Sequence, residues 1–182
     1  GQLPRNDIRA DLEEIATMDC MERVLNRRSV RRFRDERIAD KVLANILEAG
    51  RLAPTATNNQ PWHFVVAREG EAKEAFSFGG FNGFARDADV VVLGLYKQSE
   101  VIMERFSLMD VTIAIQNMVI AAWIQGVGSC WMGAFDEPRL RNTLSLPADS
   151  RIVGAIALGI PAETPVQPRK RPFDDVVHFD KW

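Results

Sequence analysis

Cys20 and Cys130 are the two cysteines among 182 residues. They are too few for a disulfide framework, and nothing beside them has the spacing of metal ligands. The reading is a cytoplasmic protein of a reducing compartment, with no metal site. Excess charge is missing too: 23 Lys and Arg against 25 Asp and Glu leave a formal net charge of -2. A general attraction to nucleic acid or to an anionic membrane is therefore not expected, and any anion site must come from local clustering. The amino end, GQLPRNDIRADLEEIATM, lacks the basic-then-apolar order of a signal peptide. The most apolar stretch, residues 111–124, is broken by Gln116 and Asn117. It falls short of the roughly 18 apolar residues of a spanning helix and reads as a buried one. Repeats, low-complexity tracts and interdomain linkers are absent as well, which leaves one domain over residues 19–182 after an extension, 1–18.

What is present is the composition of a globule, 46% hydrophobic and 26% charged. Val42, Leu43, Ile46, Leu47 and Ala53 recur at helical spacing, with Asp40 as the cap and Pro54 as the stop. HFVVA, DVVVLGLY and IVGAIALGI are continuous apolar runs bounded by Pro, Gly or charge, as strands buried on both faces should be. Residues 110–125 are apolar almost all round, so that helix belongs in a core or a subunit interface, with Gly126 ending it. Asp136, Glu137 and Pro138 open a short helix through Leu144. VVHFDKW is a strand signal after the basic, Pro-punctuated tether PVQPRKRPFDD. The fold class is α+β, a sheet covered by helices.

The segment RRSVRRF puts four arginines and a serine into seven residues. If it is extended, period-two alternation sets Arg27, Ser29 and Arg31 on one face, where two guanidinium forks and a hydroxyl suit phosphate oxygens. Arg28 and Arg32 point the other way. The bland alternative is a solvated basic loop. A second cluster, Arg169, Lys170 and Arg171, is either a solubilising tail or the other jaw of the same clamp; proximity decides. APTATNNQPWHF is a polar connector or a surface of amides and hydroxyls for a flat, polar-edged ligand. GVGSCWMGAF carries three glycines, which fit a plain helix cap and turn or a close backbone approach to a ligand.

Taken in order, RRSVRRF, LEAGRLAPTATNNQPWHFVV, DVTIAIQNMVIAAWIQGVGSCWMGAF, LGIP and RKRPFDDVVHF resemble the nitroreductase family of flavin mononucleotide (FMN) oxidoreductases, over residues 21–179. The resemblance implies a nitroreductase-like fold with a central mixed or antiparallel sheet. It also implies a homodimer with an exchanged carboxyl-terminal strand, Val176 to Phe179, and FMN sites at the interface. Arg27, Arg28 and Ser29 match the family's flavin-binding start, and Arg31 a further basic contact. Lys170 best matches the basic phosphate ligand, with Arg169 and Arg171 as close alternatives. Pro54, Thr55 and Asn58 fall beside the isoalloxazine and ribityl chain, and Asn82 at the pyrimidine edge. Trp131, Met132, Gly133 and Ala134 match the loop whose backbone lies near N5.

The implied activity is hydride transfer from NADH or NADPH through flavin N5 to a small-molecule acceptor, a nitroaromatic, quinone or similar electrophile, by a ping-pong cycle. The cofactor carries the chemistry, so no side chain is assigned as catalytic and no Ser/His or Cys/His triad is needed. Alternatives are a flavin-holding module without turnover and a dehalogenating or flavin-fragmenting relative. A nucleic-acid binder built on RRSVRRFR lacks the positive balance and interleaved aromatics that base stacking needs. His63 reads as outward or packed, and Cys130 as packed beside Trp131. The chain departs from its relatives in a short lid, KQSEVIMERFSLM, in Asp89 where proline is common, and in SFGGFNGF. Phe76, just before that stretch, and Phe78, Phe81 and Phe84 within it either line an acceptor pocket or pack a core.

Overall fold

The computed structural model describes residues 19–182, and the expectation for the extension 1–18 lies outside them. The three apolar runs form strands, because a strand covered on both sides has no polar face to show. They are β1 (Trp62–Ala67), β2 (Val90–Lys97) and β4 (Ser150–Gly159). A further strand, β3 (Gly128–Met132), completes a sheet of order β1-β2-β4-β3 in which every ladder is antiparallel. This strand lies within GVGSCWMGAF, directly after the helix cap at Gly126. Its small residues carry little strand signal, and the free edge of β4 recruits them.

The basic segment extends the sheet. Ser29 forms a parallel bridge with Ser129 of β3, and the Val30 N–H donates to the Ser129 carbonyl at 2.9 Å. Val30 is fully buried against Gly128, where an added Cβ would lie 2.9 Å from the Val30 Cβ. Phe33 then bridges Pro161. The chain after helix α1 (Cys20–Asn26) is thereby held extended, and the inward Val30 turns Ser29 and Arg31 the other way.

Two helices cover one face of the sheet, α2 (Asp40–Arg51) and α4 (Glu104–Ile124). Ile38, Ile46, Ile115, Met118 and Ile156 are central to that core. Asp40 is the first helical residue rather than the cap, and its carboxylate pairs with Arg68 at 2.9 Å. Helix α4 begins six residues before the apolar run expected to form it and has 21 residues. By length and composition it could cross a membrane, yet half of its most apolar window is buried inside the protein, as a core helix would be. Its end is a Schellman motif: Gly126 has φ 76°, its N–H reaches the Trp123 carbonyl, and the Val127 N–H reaches that of Ala122. The opposite face is covered by α3 (Gly70–Glu74), α5 (Glu137–Thr143) and short 3-10 turns, around Phe76, Leu93 and Leu140.

At the carboxyl end, residues 176–179 are not a strand in the single chain. A 3-10 turn, Phe173–Asp175, precedes them, and Val176, Phe179 and Trp182 are exposed. A strand needs a neighbour's ladder, and this segment has none among the described residues.

Candidate functional site

The two basic clusters meet. Arg27, Arg28, Ser29 and Arg31 form one wall of a cleft of about 530 Å³, and Pro165 to Pro168 with Lys170 form the other. A bond from Gln167 Nε2 to the Leu25 carbonyl, 3.5 Å, ties the walls together. Lys170 is the member of its cluster that faces the cleft. Arg171 instead donates to the Asp175 carbonyl at 2.7 Å, and Arg169 is exposed. Arg28, expected to point away, also lines the cleft, its Nη1 resting on the Arg27 carbonyl at 3.1 Å. Its long stem lets it curl round the extended backbone.

Charge separates this cleft from another depression of about 340 Å³, where four cationic side chains face four anionic ones. Among the described residues, none of Arg27, Arg28, Arg31 and Lys170 pairs with a carboxylate. Four uncompensated cations and a hydroxyl are what a phosphate dianion needs, and the space is that of a small-molecule site. One acid reaches this wall from behind: Glu163 Oε1 accepts from the N–H groups of Arg31 and Arg32, at 2.9 and 3.1 Å, and its Oε2 lies 3.9 Å from the Arg32 guanidinium. Sequence reading missed Glu163, because its task depends on a chain crossing 131 residues away.

Cys130 lies beneath this wall. Burial pushes its thiol above the ordinary value, although Arg31 and then Arg27 pull the other way. Trp131 points to the opposite face, where its Nε1 donates to Gln116 Oε1 at 3.0 Å and its ring packs on Gly154. Met132 is buried, and Gly133 has open space where a side chain would stand. Asn82 is buried and donates from Nδ2 to the Ala134 carbonyl. That bond uses one of the amide's two N–H donors and leaves its oxygen as an acceptor.

Pro54, Thr55 and Asn58 lie apart from the cleft. Their loop has Thr57, Asn58 and Gln60 at positive φ, and for a β-branched Thr this is an outlier. It is pinned by Thr55 Oγ1, which accepts from the Gln60 N–H at 3.1 Å, and by Asp110 Oδ1, which accepts from the Ala56 N–H at 3.1 Å. The loop thus sits near the start of α4, while Arg23 of α1 reaches the Ile124 carbonyl at its end. Fourteen residues of helix, about 21 Å, separate them. His63, at the edge strand, meets Glu100 of the short lid at 2.6 Å, and Lys97 meets the other oxygen at 2.8 Å. Lys97 first and His63 second hold the Glu100 carboxyl below its ordinary value.

The architecture is α+β, with a cationic cleft beside one edge of the sheet. The model of the nitroreductase family matches residues 24–78 and 76–160. Proteins of Methanothermobacter thermautotrophicus and Archaeoglobus fulgidus, both named "Putative NADH dehydrogenase/NAD(P)H nitroreductase", are 31% and 33% identical. The alignments cover 93% and 90% of this chain, and 91% and 99% of theirs. A Desulfovibrio desulfuricans structure described as a "putative nitroreductase in complex with fmn" is 29% identical and superposes with a TM-score of 0.82, over 91% of this chain and 98% of that one. The chain belongs to the nitroreductase family, a family of oxidoreductases, and has its fold.

Proposed function

We propose that the protein is an FMN-dependent NAD(P)H oxidoreductase acting on a nitroaromatic, quinone or similar electrophile. The observation that carries this reading is the convergence of Arg27, Arg28, Ser29 and Arg31 with Lys170 on one cleft, with no carboxylate to neutralise them. These residues hold the phosphate through charge-assisted bonds. Ser29, fixed by the sheet edge, sets its position. The chemistry that FMN supplies when bound is the two-electron exchange, from NADH or NADPH to an acceptor that takes its turn in the same opening.

The rest of the site is built from a second copy of the chain. The strained loop with Pro54, Thr55 and Asn58 lies too far along α4 to share a flavin with the cleft of its own chain. An apolar stripe on α4 supports pairing: Met109 and Ile113 are exposed, and Ile120 and Ile124 follow at helical spacing half-buried. The unpaired tail 176–179 gains a ladder if it crosses to the partner's sheet. Two copies therefore complete two sites.

The test is direct. Purified protein should be yellow, its flavin absorbance bleached anaerobically by NADH or NADPH and restored by menadione or a nitroaromatic. Protein that takes up no FMN refutes the proposal; flavin that neither nicotinamide reduces makes it a holding module.

A further inference from the structure

Glu163 has no part in the proposed function. It stands on the chain that leaves β4 and runs beside the basic segment. The Arg34 N–H donates to the Ile160 carbonyl at 2.8 Å, and the Ala162 N–H to that of Arg32 at 2.9 Å. The bridge between Phe33 and Pro161 lies between these bonds. Beyond them a side chain takes over from the backbone, as Glu163 Oε1 accepts from both the Arg31 and the Arg32 N–H, at 2.9 and 3.1 Å. Two residues further on, at Pro165, the same chain becomes the second wall of the cleft and continues to Lys170. Glu163 is thus a joint at which one wall is fastened to the other.

Charge alone does not account for a carboxylate in this place. Its ion pair with Arg32 spans 3.9 Å, and the Arg32 side chain is 80% exposed, so that pair contributes little. Toward an anion in the cleft, a carboxylate behind the wall is repulsive. What it supplies is a shared acceptor, through charge-assisted bonds, for two adjacent N–H groups of the segment whose Ser29 and Arg31 line the cleft.

We propose that Glu163 is a positioning residue for anion binding: it fixes the distance between the wall of Arg27, Ser29 and Arg31 and the wall of Lys170, and so sets the affinity for a phosphate monoester. The proposal deepens the FMN reading above and rests on it for the molecule that carries the phosphate. Gln167 also ties the walls, but its bond to the Leu25 carbonyl is long, at 3.5 Å, and Glu163 holds the greater share.

Charge and position predict opposite signs. Acting by charge, Glu163 weakens anion binding and its removal strengthens it. Acting by position, its removal weakens binding although every cation remains. The experiment compares wild type, Glu163→Ala and Glu163→Gln, each with and without Lys170→Ala, in cofactor-free protein. FMN binding is read by fluorescence titration, inorganic phosphate binding by calorimetry, and amide exchange at Arg31 and Arg32 by NMR. Glu163→Ala should weaken both ligands about tenfold and speed exchange at both amides about tenfold. Glu163→Gln keeps an oxygen for the two N–H groups and should bind both ligands within about threefold of wild type, with exchange unchanged. In the Lys170→Ala background, Glu163→Ala should cost less than about threefold, because the cation it places is gone.

Glu163→Ala protein that binds phosphate and FMN as well as wild type, or better, overturns the proposal. Glu163→Gln protein that falls as far as Glu163→Ala does so too, since the charge and not the shared acceptor would then be at work. A Glu163→Ala loss that Lys170→Ala leaves undiminished marks general destabilisation and is equally fatal. Wild-type protein that binds phosphate but no FMN defeats the cofactor reading alone, and the phosphate titrations then decide for Glu163 by the same ordering. Wild-type protein that binds neither defeats both.

Discussion

At the scale of residues, the site turns on which cations are committed and which are free. Arg171 is spent on the Asp175 carbonyl, whereas Lys170 faces the cleft. Replacing Lys170 with alanine should weaken FMN binding about tenfold, and replacing Arg171 should change it little, as fluorescence titration can show. Arg27→Ala with Ser29→Ala removes two of the phosphate's contacts and should cost about a hundredfold. Cys130 offers a second check. With its pKa raised in the folded state, the thiol keeps its proton in the fold at a pH where the unfolded chain has lost it. Its contribution to stability is therefore present below the ordinary thiol value and lost as pH rises beyond it. At pH 8 a mild alkylating agent should label the exposed Cys20 and leave Cys130 until the protein unfolds, with mass spectrometry as the readout. The alternation of Arg27, Ser29 and Arg31 was legible in seven letters, because period two is a property of any extended chain. The preference for Lys170 over its neighbours came from the family pattern and not from periodicity, because which of the three faces the cleft depends on where a Pro-rich tail passes.

Elements were legible where burial dictates the pattern. Strands β1, β2 and β4 are written in continuous apolar runs, α2 in helical spacing, α4 in a stretch apolar all round and α5 in its Asp-Glu-Pro opening. Strand β3 was left open in the sequence, and the carboxyl-terminal segment is unpaired among the described residues, for one reason: pairing is decided by the neighbour. GSCWM has small residues and a waiting edge, while VVHF has strand-formers and no edge in its own chain. Two glycines test the elements separately. An added Cβ on Gly94, at the irregularity between β2 and β4, would lie 2.5 Å from Ile115 Cδ1, so Gly94→Ala forces α4 off the sheet. Overpacking of this kind costs about 1–3 kcal/mol. Gly126 has open space around it, so Gly126→Ala meets only the left-handed backbone of the helix cap and should cost about 1 kcal/mol. Urea denaturation should rank Gly94→Ala as the more damaging of the two.

For the whole molecule, the separation of cleft and loop along α4 would, on the proposed reading, make assembly and cofactor binding one event. Removing residues 176–182 should shift the protein toward monomer in light scattering and lower its flavin content in parallel. A truncated protein that remains a dimer with full FMN would show that the tail does not cross to a partner. The Asp89 carboxylate, where proline was the expected neighbour of β2, ties the frame to this scheme. It accepts from the Ile38 N–H at 2.9 Å and pairs with Arg68 at 2.9 Å, anchoring the segment that continues from the basic wall. The departure from the family pattern therefore sits in the scaffold.

The two walls of the cleft come from residues 24–31 and 165–170, near opposite ends of the described chain. The second wall does not exist until the chain has been made through residue 170, so on the proposed reading the phosphate of FMN is not gripped from both sides before then.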